Sequence, residues 1–478
     1  MTLAGPRTET RGALVNTTPV TTPDVEDGRL MTRRGWWLVV LNFLIPGSAQ
    51  AVAGSRRLGK VGLGATLVLW TLAVIAVATL LLWRHGFVSI VSHGVTLFVL
   101  AILAAAYAIL WVVLSLDTLR LVRLVRTQAP KRFFIGLLAI LLTVVQAAFG
   151  FFATSSLFTA AATSSDLFGR GAPVVPPSDG YYNVLLLGAD SGDGRDSMRF
   201  DSISVISINA DTGAVTITGI PRDLQHAPFS EGSPMLADYP NGYFEGRSDP
   251  SCGWDSGVNQ LTNAVSACRE DGGASIYPDA ERQGSTPAIE ATKDLAEGLL
   301  GIEIPYYVSI DMHGFAALID ALGGVDIDVA ERLPEGPGPA YDGQPADEWA
   351  TGWIEAGPQR MDGETALWYA RSRYTTSDWD RMQRQRILQQ AVLDQVTPQN
   401  LLTRFQDVAS AGTDVITTDV PQGLVSTFLD LAVASRDHEM ASLELTPDAG
   451  VDQEWPDAAQ VHELVRGALH PESDSSDE

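Results

Sequence analysis

Arg371, Arg373, Arg381, Arg384 and Arg386 fall within sixteen residues of a 478-residue chain. Guanidiniums packed this closely repel one another unless an anion neutralises them. Arginine rather than lysine points to phosphate, because its planar fork holds phosphate oxygens bidentately and keeps its charge when desolvated. The surroundings sharpen the contrast: from Gly171 onward, 17 Lys+Arg stand against 51 Asp+Glu, and Lys293 is the only lysine. The stretch therefore reads as a phosphate or pyrophosphate site. The competing reading is a structural ion-pair network with nearby carboxylates such as Asp378 and Asp380.

Two further groups could join that chemistry. Gly188-Ala-Asp190 begins a glycine-loosened segment that also contains Asp193, Arg195, Asp196, Arg199 and Asp201. Carboxylates at that density outside a helix can hold a hard cation such as Mg2+, which takes oxygen ligands and keeps waters or substrate phosphate in its shell; the spacing does not fit a calcium loop. Arg222 and Asp223 follow directly on Gly219-Ile-Pro221. Within the cluster, Arg381, Arg384 and Gln385 stand at i, i+3 and i+4 and share one helical face that continues to Leu388. Arg371 and Arg373 share a face only in extended backbone.

The elements that must position these residues can be read from periodicity. Tyr182–Gly188 is a continuous apolar run, as in a strand buried on both faces. Ser202–Ile208 and Ala214–Ile220, separated by an Asp-Thr-Gly turn, predict a hairpin. Helices are predicted at Val258–Cys268, Pro287–Leu300, Met312–Leu322, Gly363–Ala370 and Arg381–Gln395, with strands at Tyr306–Ile310 and Val325–Val329. Polar loops are expected at Pro228–Gln283 and Leu333–Gly352. This alternation predicts a layered α/β/α domain with a mixed central sheet, in which function collects at strand ends. Cys252 and Cys268, the only cysteines, are expected to form a disulfide rather than a zinc site.

The N-terminal part has the opposite character. Residues 1–170 carry 15 Lys+Arg and 6 Asp+Glu and contain three apolar runs long enough to span a bilayer, near 62–83, 94–116 and 133–152. Trp36–Ala53 is interrupted by Asn42, Pro46 and Gln50 and is expected to be re-entrant or interfacial. Arg33, Arg34, Arg56, Arg57, Lys60 and the Arg120–Arg132 group then all lie on the cytoplasmic side, which puts the acidic domain outside. The expected organisation is a polar cytoplasmic tail (1–35), an α-helical transmembrane region (36–165), a linker (166–181), an extracellular domain (182–440) and a C-terminal extension (441–478) with an acidic disordered end. The acidic balance argues against general nucleic-acid binding.

Taken in order, Asn183-Val-Leu-Leu-Leu-Gly-Ala-Asp190, Arg199-Phe-Asp201-Ser202, Ile220-Pro-Arg222-Asp223, Leu322-Gly-Gly-Val-Asp326, Asp362-Gly-Glu-Thr-Ala-Leu-Trp-Tyr-Ala-Arg371-Ser-Arg373 and Asp380-Arg381-Met-Gln-Arg384-Gln385 resemble the LytR-CpsA-Psr family over about 182–395. The resemblance implies a membrane-anchored phosphotransferase of Gram-positive envelopes. Such an enzyme moves a glycopolymer phosphate from a polyprenyl-pyrophosphate carrier onto peptidoglycan. By position, Asp190 and Asp201 correspond to the Mg2+ ligands. Arg222, Arg371, Arg373, Arg381 and Gln385 correspond to the pyrophosphate contacts, with Arg199, or alternatively Arg195, near the metal and Arg384 in support. Asp201 or Asp223 is a candidate proton acceptor. Asn259 and Asn263 both qualify for the family's middle asparagine, and the extra acids leave Asp193 or Asp196 as alternative ligands. Arg386 lies outside the motif and is expected to be a surface or ion-pair residue. The rival activities are a polyprenyl-pyrophosphate hydrolase and a non-catalytic prenyl-phosphate-binding regulator.

Overall fold

A computed structural model describes residues 21, 23–83, 86–87, 90, 93–168, 173–190, 199–244, 257–341, 343–372, 374–395 and 416–471. Two compact units emerge, one of N-terminal helices comprising Met1–Phe87 and Val95–Phe158, and one from Thr159 onward that also includes Val88–Gly94.

The first unit contains α1 (Gly28–Leu44), α2 (Ser48–Ala53), α3 (Arg56–Leu82), α4 (Gly94–Val122) and α5 (Ala129–Phe168). Three helices are long and apolar enough to cross a membrane, at Arg56–Leu82, Gly94–Arg126 and Ala129–Thr163, and they contain the three runs read from the sequence. The doubtful segment Trp36–Ala53 is divided between α1 and α2. Gly47 makes the break with φ +92°, and a Cβ there would fall 2.6 Å from the Leu63 nitrogen, so only glycine fits.

The polar residues that disturbed the hydropathy of this segment are buried and paired. Asn42 Nδ2 donates to Ser115 Oγ (3.2 Å), which donates to Gln146 Oε1 (2.7 Å). Gln50 Nε2 donates to the Leu114 carbonyl (2.8 Å) and to Thr118 Oγ1 (3.0 Å). Buried amides need such partners, since an unmade hydrogen bond costs more than a made one returns.

The second unit is built on a six-stranded mixed sheet of order β10-β3-β2-β1-β4-β9. Its strands are β1 (Tyr181–Asp190), β2 (Arg199–Asn209), β3 (Val215–Ile220), β4 (Tyr306–Asp311), β9 (Ile416–Thr418) and β10 (Ala441–Glu444). The predicted β2–β3 hairpin is antiparallel as expected, and β1 runs parallel to β4. Alternation of side chains across a strand sends Leu185 and Leu187 of β1 to one face and Val184 to the other. The first face is covered by α6 (Pro287–Leu300) and α11 (Ala458–Leu469) through Leu295, Leu299, Val461 and Val465. On the second, Val184 and Tyr306 cluster with Val420 and Leu424 at the start of α10 (Val425–Ala434). The result is the layered α/β/α architecture.

Local signals explain the helix limits. Thr286 Oγ1 accepts from the Ile289 N–H and Pro287 occupies the first turn of α6, while Gly301 at φ +70° ends it, a combination that starts and stops helices for steric and hydrogen-bonding reasons. A satellite core joins α7 (Met312–Leu322), α8 (Gly363–Arg371) and α9 (Asp378–Gln395) to strands β5 (Val325–Val329) and β8 (Gly357–Met361) through Ile319, Ile327, Met361, Tyr369 and Leu388.

Three sequence expectations need correction. Residues from Ala441 are not an extension: β10 pairs in parallel with β3, α11 fills the main core, and the Tyr181 hydroxyl donates to the Leu469 carbonyl. The short strands β6 (Leu333–Glu335) and β7 (Gly352–Ile354), together with β8, were hidden by their lack of alternating apolar residues; β8 instead gains a cross-strand ion pair, Arg360 Nη1 to Asp326 Oδ2 at 2.7 Å. Val258–Cys268 is helical but irregular, with a 3-10 turn at Val258–Gln260 and a π turn at Asn263–Ala267.

Candidate active site

Strand directions bring the motif residues to one edge. β1 and β4 run parallel and end at Asp190 and Asp311, β2 runs antiparallel and begins at Arg199, and β3 ends at Ile220, just before Arg222. The β1–β2 register pairs Asp190 with Arg199 and Ala189 with Phe200, then Gly188 with Ser202. Asp201 is therefore the extra residue of a β-bulge, a device that re-aims a side chain at the end of a ladder.

Asp201 Oδ1 accepts from Arg222 Nη1 at 2.8 Å, and Arg222 Nε lies 3.4 Å from Asp223 Oδ2. Asp223 is the exposed member, at 69% side-chain exposure against 25% for Asp201. The Arg222 segment is pinned by its backbone, its carbonyl accepting from the Asn259 N–H (2.9 Å) and the Leu224 carbonyl from the Val258 N–H (3.1 Å). This distinguishes the two asparagine candidates: Asn259 adjoins Arg222, whereas Asn263 Nδ2 is bonded to Gln260 Oε1 at 3.1 Å.

The arginine cluster is organised by its helix ends. Asp362 caps α8 by accepting from the Thr365 N–H at 2.9 Å. At the start of α9, Ser377 Oγ accepts from the Asp380 N–H (3.1 Å) while Asp380 Oδ2 accepts from the Ser377 N–H (2.8 Å). This reciprocal capping box satisfies two donors of the first turn. Those bonds hold the Asp380 carboxyl below the usual aspartate value, and they occupy the carboxylate that the ion-pair reading assigned to the arginines.

Each cationic residue then has a distinct setting. Arg384 is buried and donates to the Tyr369 carbonyl (3.1 Å), the Ser372 carbonyl and Thr376 Oγ1 (3.2 Å). These bonds tie the end of α8 to α9, so Arg384 shapes the site from behind rather than contacting the anion, a correction to its expected role. Burial lowers its pKa from the ordinary arginine value. Arg381 is buried on the same helix. Arg371 ends α8, exposed, with its guanidinium 5.8 Å from the Trp368 ring centre. Gln385 is the bridge: its Oε1 accepts from Ser202 Oγ of β2 (3.1 Å) and its Nε2 donates to the Ala370 carbonyl next to Arg371 (3.3 Å). Arg386 is an ion-pair residue as expected, but buried rather than at the surface, its Nε 2.6 Å from Glu444 Oε1 of β10.

The geometry thus joins Asp201, Ser202, Arg222, Gln385 and, next to Ala370, Arg371. Ser202, Ser377 and Asp311 were not singled out as site residues from sequence; the Ser-x-x-Asp spacing at the start of a helix was the available signal for Ser377. Arg373, Asp193, Arg195, Asp196 and Cys252 lie outside the described residues, as do the side chains of Asp190 and Asp378. Cys268 is disulfide-bonded. Among the described residues no group of three or more His, Cys, Asp and Glu has metal-binding geometry. The donor chemistry nevertheless fits a hard cation: Asp201 brings a carboxylate to the edge where β1 ends in Asp190, and oxygen ligands of this kind, few in number, suit an ion that shares its shell with substrate phosphate.

Residues 275–470 match the LytR_cpsA_psr family model. The chain is 28% identical over 243 residues to a polyisoprenyl-teichoic acid–peptidoglycan teichoic acid transferase TagU of Enterococcus faecalis, covering 50% of this chain and 61% of that protein. It is 25% identical over 345 residues to the cell wall biosynthesis protein LcpA of Corynebacterium glutamicum, covering 65% of this chain and 61% of that protein. The chain therefore spans about three fifths of the length of these curated relatives. A LytR-Csp2A-Psr enzyme from Actinomyces oris aligns with a TM-score of 0.39 at 21% identity, over 62% of this chain and 92% of that structure. That family match lies across the helices and strands that carry the arginine cluster, so this part of the chain is similar to the LytR-CpsA-Psr family.

Proposed function

We propose that the protein is a phosphotransferase that moves a glycopolymer phosphate from a polyprenyl-pyrophosphate carrier to a sugar hydroxyl of peptidoglycan, at the outer face of the cytoplasmic membrane. The observation that carries this reading is Gln385, whose two hydrogen bonds fix the Arg371-bearing end of α8 against the Asp201–Arg222 pair at the sheet edge. The activity named for the Enterococcus relative, teichoic acid transfer to peptidoglycan, supports the same chemistry.

In the reaction, a P–O bond forms between the acceptor oxygen and the polymer-linked phosphorus. The bond to the bridging oxygen breaks, and prenyl phosphate leaves with the electron pair. Negative charge grows on the bridging and peripheral oxygens, and fixed guanidiniums stabilise it without a covalent intermediate. Arg371, Arg373 and Arg381 serve the pyrophosphate, and Arg199 and Arg222 the strand-end side. The exposed Asp223 carboxylate, or Asp201, takes the acceptor proton. Mg2+, held by Asp190 and Asp201, would supply further charge neutralisation. In this reading the three apolar helices anchor the chain, and the basic residues between the second and third support an outer position of the globular unit under the positive-inside rule.

Arg371→Ala and Asp201→Ala test the reading: turnover of a lipid pyrophosphate with Mg2+ that survives both substitutions overturns it. Inorganic phosphate released without polymer linkage would favour hydrolysis over transfer.

A further inference from the structure

The outer side of α9 carries a feature that the phosphate chemistry does not use. A cleft of about 560 Å3 separates this helix from the edge strand β10. Trp379, Gln383, Ile387 and Gln390 line it from α9, and Ser442 and Glu444 from β10. The helix positions recur every three or four residues and so form one continuous stripe, roughly 16 Å long at 1.5 Å per residue. Its Trp379 end adjoins Asp380 and Arg381, so the cleft leads toward the arginine cluster.

Its floor is a fixed ion pair. Arg386 Nε lies 2.6 Å from Glu444 Oε1, and Arg386 Nη1 donates to Gln389 Oε1 at 2.8 Å. Glu444 Oε2 is screened from solvent and accepts no hydrogen bond among the described residues. Gly219 makes room beneath it, because a Cβ there would collide with that same oxygen. Two carboxamides, a hydroxyl and an indole along one groove match a saccharide: the ring faces stack on the aromatic, and the hydroxyls bond to the planar amides.

We infer that this cleft is a binding site for an uncharged saccharide chain, running along α9 to the transfer site. Charge decides against a polyphosphate occupant, since the cation in the cleft is already neutralised by Glu444 and the part of the chain from Gly171 carries 17 Lys+Arg against 51 Asp+Glu. The chemistry is shared by two sources, the amino-sugar backbone of peptidoglycan and neutral sugars of the transferred polymer. The inference deepens the phosphotransferase reading by locating its glycan, but it is tested by binding alone.

Full-length protein in detergent is titrated with phosphate-free β-1,4-linked amino-sugar oligomers, with a neutral oligosaccharide of the polymer, and separately with a prenyl pyrophosphate. Trp379→Ala is expected to raise Kd for one of the saccharides at least tenfold and Gln383→Ala several-fold, with prenyl-pyrophosphate binding unchanged. Which saccharide responds identifies the source. Ile387→Arg, which fills the cleft from an exposed position, should abolish the same binding in a folded protein. Unchanged affinity for both saccharides in all three variants overturns the inference. Failure of the phosphotransferase reading appears separately, as lipid-pyrophosphate turnover that survives Arg371→Ala.

Discussion

Two buried cations of the globular unit, Lys293 and Arg384, are accommodated in different ways. Lys293 of α6 meets two carboxylates, Asp419 at 2.5 Å and Glu290 at 2.9 Å, and Asp419 also accepts from the Tyr307 N–H at 2.7 Å. Burial alone would lower the Lys293 pKa, but the Asp419 and Glu290 charges outweigh it and hold the pKa above the ordinary lysine value of 10.5. Arg384 is as deeply buried, yet among the described residues its hydrogen bonds go to two carbonyls and a hydroxyl. The first arrangement cancels charge and fastens the stretch after β9 to α6. The second fixes geometry while leaving positive charge in place, as a site for an anion requires.

The contrast can be tested most severely at Lys293. Lys293→Met strands two carboxylates in a buried setting and is expected to cost about 3–5 kcal/mol of stability, read as a lowered denaturant midpoint of the globular unit; a loss under 1 kcal/mol would remove the distinction between the two clusters. The pH dependence has a definite sign. A raised folded-state pKa means that the lysine's contribution is complete below about pH 10.5 and is lost as pH rises through the raised value, so the wild type, unlike Lys293→Met, should lose stability in that alkaline window.

The arginine cluster should respond in the opposite currency, rate rather than stability. Arg371→Ala is expected to lower transfer about 10²–10³-fold, the scale of one lost oxyanion donor, while leaving the unfolding midpoint within about 0.5 kcal/mol because the side chain is exposed. Arg384→Ala falls between the regimes: the orphaned Tyr369 and Ser372 carbonyls should cost about 1–3 kcal/mol, and carrier KM should rise as the α8–α9 connection loosens. The smallest change is Ser377→Ala, which opens the capping box at a cost of about 0.5–2 kcal/mol. It would sharpen the comparison if transfer fell without loss of prenyl-phosphate binding, showing that the start of α9 is tuned for orientation.

The sequence revealed the components of this site more fully than their roles. The β2–β3 hairpin, α6, α7, β5 and the three long apolar helices were legible because their apolar periodicity is strong and their ends carry turn or capping residues. The role of Arg384 was not legible for a physical reason: its position shares a face with Arg381 and Gln385, but helical phase cannot say whether that face meets a ligand or the carbonyls at the end of a neighbouring helix. Asp201 was found by resemblance, whereas its bulge depends on register with β1, which no local pattern specifies. β10 was missed as part of the sheet because four residues, Ala441–Glu444, give too short a pattern, and because its partner β3 lies more than two hundred residues earlier.

The bond from the Tyr181 hydroxyl to the Leu469 carbonyl spans 288 residues and has a consequence for biogenesis. β1, at the middle of the sheet, is the first strand to emerge from the ribosome, yet the helix that completes its core side and the strand that closes its far edge are nearly the last. Before then, the apolar face of Leu185 and Leu187 lacks the α11 portion of its cover, a state prone to aggregation while the chain is being made. Long-range closure of this kind slows folding because loop entropy is lost before the contacts form. Chains truncated before Ala458 should therefore engage holding chaperones or quality-control proteases, even though every residue of the proposed catalytic site is already present in them.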